Sequence, residues 1–205
     1  MKKILMLLLV CTLTYAQEPK KQNSFKNFLK EKHVNYTDFG IFLSKSYKID
    51  SYGTGYGQPV KANTAFTLQT FNGFKVYKNL AVGATVGVDW FSNYQIIPIS
   101  LGVRVSSGDA KLKKVKTFAG MDAGYGFMWL NSKNSDRDVI KGGLTLSPTV
   151  GFLIPIGGNA NFTFSVGYKR NLFNTKIVTG SQEYPYITQT DYEFNRMAVR
   201  LGVNF

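Results

Sequence analysis

The chain has 205 residues, with 20 glycines, 15% aromatic residues and a formal net charge of +13, a composition that leans towards β structure with tight turns or close backbone packing. Its single cysteine, Cys11, excludes a disulfide framework and any metal cluster built on several cysteines. The basic balance calls for an acidic neighbour.

The first expected element is an export signal. Lys2 and Lys3 form a charged start, Ile4 to Leu13 an apolar run, and Thr14-Tyr15-Ala16 a cleavage site with small residues at its first and third positions. The run is too short for a membrane-spanning helix. Residues 1–16 are therefore read as a cleaved signal peptide, and Cys11 leaves with it. Lipidation of Cys11 is the rival reading, but Val10 is bulkier than the small residue that should precede a lipidated cysteine. Export sets nucleic acid aside as a partner and leaves outer-membrane lipid, lipopolysaccharide or cell-wall polymer. Residues 17–34 follow as a polar, Lys-rich leader, with Phe25, Phe28 and Leu29 as its sizeable apolar group.

Residues 35–205 alternate with period two. The pattern predicts strands at about 36–47 and 64–76, where the alternation is less clean. Clearer ones follow at 80–91, 97–105, 118–129, 143–154, 160–169 and 196–205. In the clearest, Leu80, Val82, Ala84, Val86, Val88 and Trp90 oppose Ala81, Gly83, Thr85, Gly87 and Asp89. Short links near 77–79 and 155–159 and a basic one at 106–116 are expected at the end that carries both termini, the periplasmic side of such a barrel. The links 46–63, 92–95, 130–142 and 174–192 fall at the other end. In the last of these, 176–178 and 184–192 are expected to extend the final hairpin, turning at Thr179-Gly180-Ser181.

A half-buried soluble sheet also alternates, so the polar face has to decide. On a solvated sheet it would carry long polar side chains. Here it is dominated by Gly, Ala, Ser and Thr, with Gly83, Gly87, Gly102, Gly120, Gly124, Gly126, Gly151 and Gly202 among them. Small residues suit the crowded inside of a narrow barrel. Asp89, Arg104, Asp122, Lys169, Arg196 and Arg200 share that face, where they form an expected lumen charge network. On the lipid side a midplane Lys or Arg costs about 2–4 kcal/mol. The fold class is therefore all-β: an eight-stranded, antiparallel, up-and-down transmembrane β-barrel. Trp90, Tyr94, Trp129, Tyr168 and Phe194 lie near strand ends and are expected to form an interfacial aromatic belt.

The final strand alternates Met197, Val199, Leu201, Val203 and terminal Phe205 with Ala198, Arg200, Gly202 and Asn204. It resembles the C-terminal assembly signal of outer-membrane proteins, whose last aromatic is read by the barrel-assembly machinery. With the strand from Leu80 and the stretch Gly142 to Gly151, residues 35–205 resemble the broad outer membrane protein β-barrel domain families of Gram-negative bacteria, OmpX-like and OmpA-membrane-domain-like in architecture. The resemblance implies residence in the cell outer membrane. It implies little about role, since such families hold structural barrels, adhesion factors and accessory barrels of secretion systems.

Catalytic chemistry is not expected. His33 is the only histidine and precedes the first strand, so Ser–His and Cys–His arrangements lack a placed base. Lipid A-modifying barrels would need a His beside a Ser at the outer surface. No cofactor and no metal site is expected. Neither Gly53-Thr54-Gly55-Tyr56-Gly57 nor Gly120 to Gly126 opens a helix, as a phosphate loop must. The resulting expectation is a non-enzymatic outer-membrane barrel with an envelope-structural or surface-interaction role, its lumen filled by side chains. A soluble periplasmic lipid-binding barrel and an accessory barrel of a secretion system are the alternatives.

Overall fold

The computed structural model describes residues 32–43, 46–52, 60–61, 65–91, 95–107, 115–128, 130, 139–158, 160–180 and 185–205. The expected signal peptide, most of the leader, Tyr94, Trp129, the glycine-rich segment 53–57 and most of the basic link lie outside the described residues.

Among the described residues eleven strands follow in chain order: β1 (His33–Leu43), β2 (Ser46–Tyr52), β3 (Val60–Lys61), β4 (Ala65–Tyr77), β5 (Leu80–Trp90), β6 (Gln95–Ser106), β7 (Lys116–Phe127), β8 (Val139–Lys141), β9 (Gly143–Gly157), β10 (Ala160–Gly180) and β11 (Pro185–Asn204). Of these, β1, β4, β5, β6, β7, β9, β10 and β11 each pair antiparallel with the next, and β11 returns to β1. The seam runs from Tyr36↔Asn204 to Leu43↔Met197 and is finished by two backbone bonds between Asn35 and Phe205, at 2.8 and 3.1 Å. An eight-stranded barrel closed in this way has no free edge within its wall. That is the condition for a sheet to cross hydrocarbon, where unpaired backbone groups find no water.

The remaining strands extend the wall at one end. Where β1 leaves β11, β2 continues beside it from Lys48↔Glu193 to Tyr52↔Gln189, and β3 adds a short pairing to β2. On the other side, β8 pairs with β10 from Lys141↔Asn174 to Val139↔Lys176. The β10–β11 hairpin itself runs unbroken from Asn161↔Asn204 to Gly180↔Pro185. Its upper part therefore continues the last two strands, and Asn174–Gly180 adds roughly 20 Å at about 3.3 Å per residue. Sequence patterning ends the strand 160–169 too early and starts the strand 196–205 too late, because polar residues take over once the wall leaves the apolar zone.

The start of β1 and the end of β11 lie at the end that also holds the turn Lys78–Asn79 and the link after Gly157. We call this the terminal end, and the opposite one the loop end. Gly157 and Gly158 take φ of 135° and 55°, values at which a side chain would be strained. Here the turn requires glycine. β1 begins at His33, two residues before the expected boundary, and the His33 ring sits edge-on to Phe74 at 5.8 Å.

Side chains divide sharply across the wall. Val86, Ile99, Leu101, Val103, Val150, Phe152 and Leu201 are exposed on the outside, while Thr85, Ser100, Thr145, Ser147, Thr163 and Ser165 are buried inside. A water-soluble sheet reverses this arrangement. Lipid is the solvent that matches it.

Candidate functional site

Among the described residues the buried charges gather in the lumen, which is built in three layers. At the terminal end Val34, Tyr36, Phe71, Ala81, Phe118 and Leu153 pack together. Tyr36 meets Phe71 edge-on at 5.9 Å and Phe118 at 5.5 Å. Apolar side chains on the inside run against simple alternation. They fit because the facing strands carry glycine: a Cβ on Gly151 would stand 2.7 Å from the Phe118 ring.

The middle layer is ionic. Arg104 donates through Nη2 to Asp122 Oδ2 at 2.8 Å, and Thr85 donates to Asp122 Oδ1 at 2.7 Å. Lys169 Nζ lies 2.8 Å from Asp89 Oδ2 and 2.9 Å from its Oδ1, and Thr67 donates to Asp89 Oδ1 at 2.7 Å. Both pairs are nearly free of solvent contact, so their carboxylates need several donors to offset desolvation. Arg200, wholly buried, donates to the hydroxyls of Thr149 and Ser147 at 3.0 and 3.2 Å. Thr145 also donates to Asn171 Oδ1. Glycine makes room again: a Cβ on Gly40 would meet Arg200 Cγ at 2.6 Å, and one on Gly120 would meet Arg104 Cδ at 2.7 Å.

At the loop end Ile96, Met128, Phe173 and Phe194 form a second apolar layer, joined by Phe91, Ile140 and Tyr192. Phe173 and Tyr192 stack at 4.5 Å, nearly parallel. Arg196 marks the boundary with the charges. Its guanidinium carbon lies 4.5 Å from the Phe91 ring centre and 4.9 Å from that of Phe194, so two π faces receive the cation where water would otherwise do so.

The six charged residues of the sequence reading, Asp89, Arg104, Asp122, Lys169, Arg196 and Arg200, are all buried on the lumen side. Two ion pairs join four of them, Arg200 bonds to hydroxyls, and Arg196 lies one step nearer the loop end. Asp38 belongs to the same layer, accepting from Thr163 at 2.7 Å, and pattern reading missed it. Its strand places Tyr36 and Phe42 on the same face, which disguises that face as an outward one. Position parity with Thr163 and Arg200 across the seam was the available signal.

The aromatic belt needs a correction. Phe194 is 3% exposed and points into the lumen against Phe91 and Phe173, so it is no interfacial ring. The reason is the two-residue period: Phe194 shares the face of Arg196, Ala198 and Arg200, and only the other face of β11 sees lipid. Trp90 is half-buried at the loop-end rim of β5. Tyr168 is exposed on the outside and donates to Asn195 Oδ1 at 2.6 Å. In the last strand Met197, Leu201, Val203 and Phe205 are exposed on the outside and Val199 is partly so.

Chemically, this interior holds groups in place. Its carboxylates are committed to cations and hydroxyls, and an apolar cluster packs towards each end. Among the described residues no cluster of three metal-ligating side chains occurs.

No protein-family description matches the sequence, and no curated protein matches it significantly. Solved structures do. The chain is similar to the outer membrane protein OprG from Pseudomonas aeruginosa, with a TM-score of 0.62 and 13% identity over 84% of this chain and 94% of that one. It is also similar to the outer membrane protein AlkL in lipid bilayers, with a TM-score of 0.52 and 14% identity over 92% of this chain and 94% of that one. With its closed wall and apolar outside, the chain has the fold of the small outer-membrane β-barrels.

Proposed function

We propose that this protein is a sealed, non-enzymatic barrel whose membrane part anchors the raised β10–β11 hairpin at the cell surface, where it meets an envelope or surface partner. The observation that carries the reading is the layered lumen, an ionic layer between two apolar ones. An open aqueous pore needs a continuous polar path, and the Phe173–Phe194 and Phe71–Phe118 layers interrupt one. The second support is the one-sided wall: β2 and β8 brace the base of the hairpin and leave its upper edges unpaired among the described residues. Unpaired strand edges accept a partner strand.

Two measurements test this. Purified protein in a planar lipid bilayer is expected to give no steady conductance, and a stable open-channel current would end the sealed-barrel reading. Replacing residues 177–188 by a two-residue turn is expected to leave heat-modifiable gel mobility unchanged while abolishing surface attachment. Attachment that survives the replacement would remove the hairpin from the reading. A folded monomer soluble without detergent would favour a soluble lipid-binding barrel instead.

A further inference from the structure

At the loop end the pairing of β7 with β9 stops at Gly126↔Gly143. The residues just before Gly143 turn to the other neighbour: β8 pairs with β10, Lys141 opposite Asn174 and Val139 opposite Lys176. Among the described residues no ladder joins β8 to β7. A cleft of about 530 Å³ opens there, lined by Tyr125, Phe127, Met128, Ile140, Lys141 and Gly142. The Tyr125 hydroxyl donates to the Gly142 carbonyl at 2.7 Å, and the Tyr125 and Phe127 rings meet edge-on at 4.9 Å. Both rings share the outward face of β7, whereas Met128 and Ile140 belong to the inner apolar layer. The cleft is therefore apolar from its lipid side inward.

Two cations stand over it. Thr175 is buried in the lumen, so its neighbour Lys176 faces outward, and Lys141 shares that face as a diagonal partner across the ladder, roughly 7–8 Å away. Along the chain, Lys141 is the first outward side chain beyond the lipid-exposed Leu144. Neither lysine forms an ion pair or a side-chain hydrogen bond among the described residues. The acids of β11 on this face are taken. Glu193 accepts from Arg170 at 3.1 Å and from Asn195 at 2.6 Å, and Asp191 accepts from Asn174. Positive charge is thus left uncompensated beside an apolar cleft, at the upper edge of the lipid-facing zone.

We propose that this cleft binds lipopolysaccharide of the outer leaflet, with a lipid phosphate between Lys141 and Lys176 and one acyl chain against Tyr125, Phe127 and Leu144. Charge complementarity selects the headgroup: a phosphate offers several anionic acceptors to two ammonium groups that have no other partner. The lining selects the acyl chain, which fills an apolar cleft that water cannot satisfy. A zwitterionic lipid would fill the same groove but bring its own cation up to the lysines. The leaflet follows from the loops, since the longer links of such a barrel lie on the outer side. The site is separate from the partner surface of the β10–β11 hairpin, because replacing residues 177–188 spares both lysines.

The test is energy transfer from the labelled full barrel to dye-labelled lipopolysaccharide, mixed at rising fraction into phosphatidylcholine vesicles. Enrichment around the wild-type barrel above random mixing is expected. Lys141→Gln combined with Lys176→Gln is expected to weaken it at least tenfold while gel mobility still reports a folded barrel. Should that variant not fold, Lys141→Gln alone is expected to weaken it at least threefold. Lys75→Gln with Lys116→Gln makes the same change of charge at exposed positions of the terminal end and is expected to leave enrichment within twofold of wild type. Dephosphorylated lipopolysaccharide is expected to lose the enrichment, and inorganic phosphate to leave it in place because it has no acyl chain. Random mixing around the wild-type barrel overturns the proposal. So does equal enrichment of the dephosphorylated lipid, an equal loss from the two lysine pairs, or displacement of the lipid by inorganic phosphate, which would mark a site for free anions.

Discussion

At the terminal end, the wall of β5, β6 and β7 and the wall of β1 and β4 follow opposite rules. On the first, Val82, Val103 and Met121 face lipid, while Gly83, Gly102 and Asp122 face the lumen. On the second, Tyr36 and Phe71 fill the lumen, while Asn35, Thr37, Thr70 and Asn72 face outward. The two are halves of one packing solution. Phe71 reaches across the lumen to the Arg104 guanidinium, whose carbon lies 4.5 Å from its ring centre. A Cβ on Gly102 would stand 3.2 Å from that same ring. One wall supplies the knobs and the other the holes. In a barrel this narrow, volume on one side dictates its absence on the other.

The largest expected effect breaks the glycine-rich wall at its ionic centre. Asp122→Ala leaves Arg104 buried without its carboxylate and removes the acceptor of Thr85. Breaking a buried pair from one side costs about 3–5 kcal/mol, to be read from urea-dependent folding into lipid vesicles. Replacing both partners, Arg104→Met with Asp122→Leu, is expected to restore most of that loss. A single substitution costing under about 1 kcal/mol would mean that water reaches the layer.

The contrast between walls also explains what pattern reading resolves. On β5, β6, β7 and β9 the inner residues between the end layers are small, hydroxylated or charged and the outer ones are mostly apolar, so both faces declare themselves. Ile96, Phe118 and Leu153 are the inward exceptions near the ends. β1 and β4 carry aromatics inside and amides outside near the terminal end, and their alternation blurs there because hydrophobicity no longer marks the lipid side. Asp38 was lost for that reason. Phe194 was misplaced because a ring near a strand end was read by level and not by parity, although it shares its parity with Arg196 and Arg200. The short strands β2, β3 and β8 exist only because neighbouring strands offer them an edge, a cause that lies elsewhere in the chain.

A second pair of substitutions sharpens the difference on the outer surface. Val86 is exposed on the outside near the middle of the β5 lipid face, and Val86→Lys is expected to cost about 2–4 kcal/mol. Val76→Lys, on the outside of β4 beside the terminal-end turn Lys78–Asn79, is expected to cost about 0–1 kcal/mol. Equal losses at the two positions in the same vesicle titration would show that Val76 sits as deep in hydrocarbon as Val86 does.

The smallest effect is also the most specific to how the walls interlock. A methyl group added at Gly120 would meet the Arg104 side chain alone among its three nearest contacts, at 2.7, 2.8 and 3.0 Å. Arg104 has little freedom to retreat, since Phe71 lies on one side of its guanidinium and Asp122 holds its Nη2. Overpacking of this kind costs about 1–3 kcal/mol. If the cost comes from pushing Arg104 out of its place, it is expected to fall by at least half in the Arg104→Met, Asp122→Leu background, because methionine is slimmer and free to choose another rotamer. If it comes from the β7 backbone, whose glycine loses conformational freedom, the same penalty persists in both backgrounds. A double-mutant cycle on folding free energy separates the two, and a coupling indistinguishable from zero would show that Gly120 does not serve as the hole for Arg104.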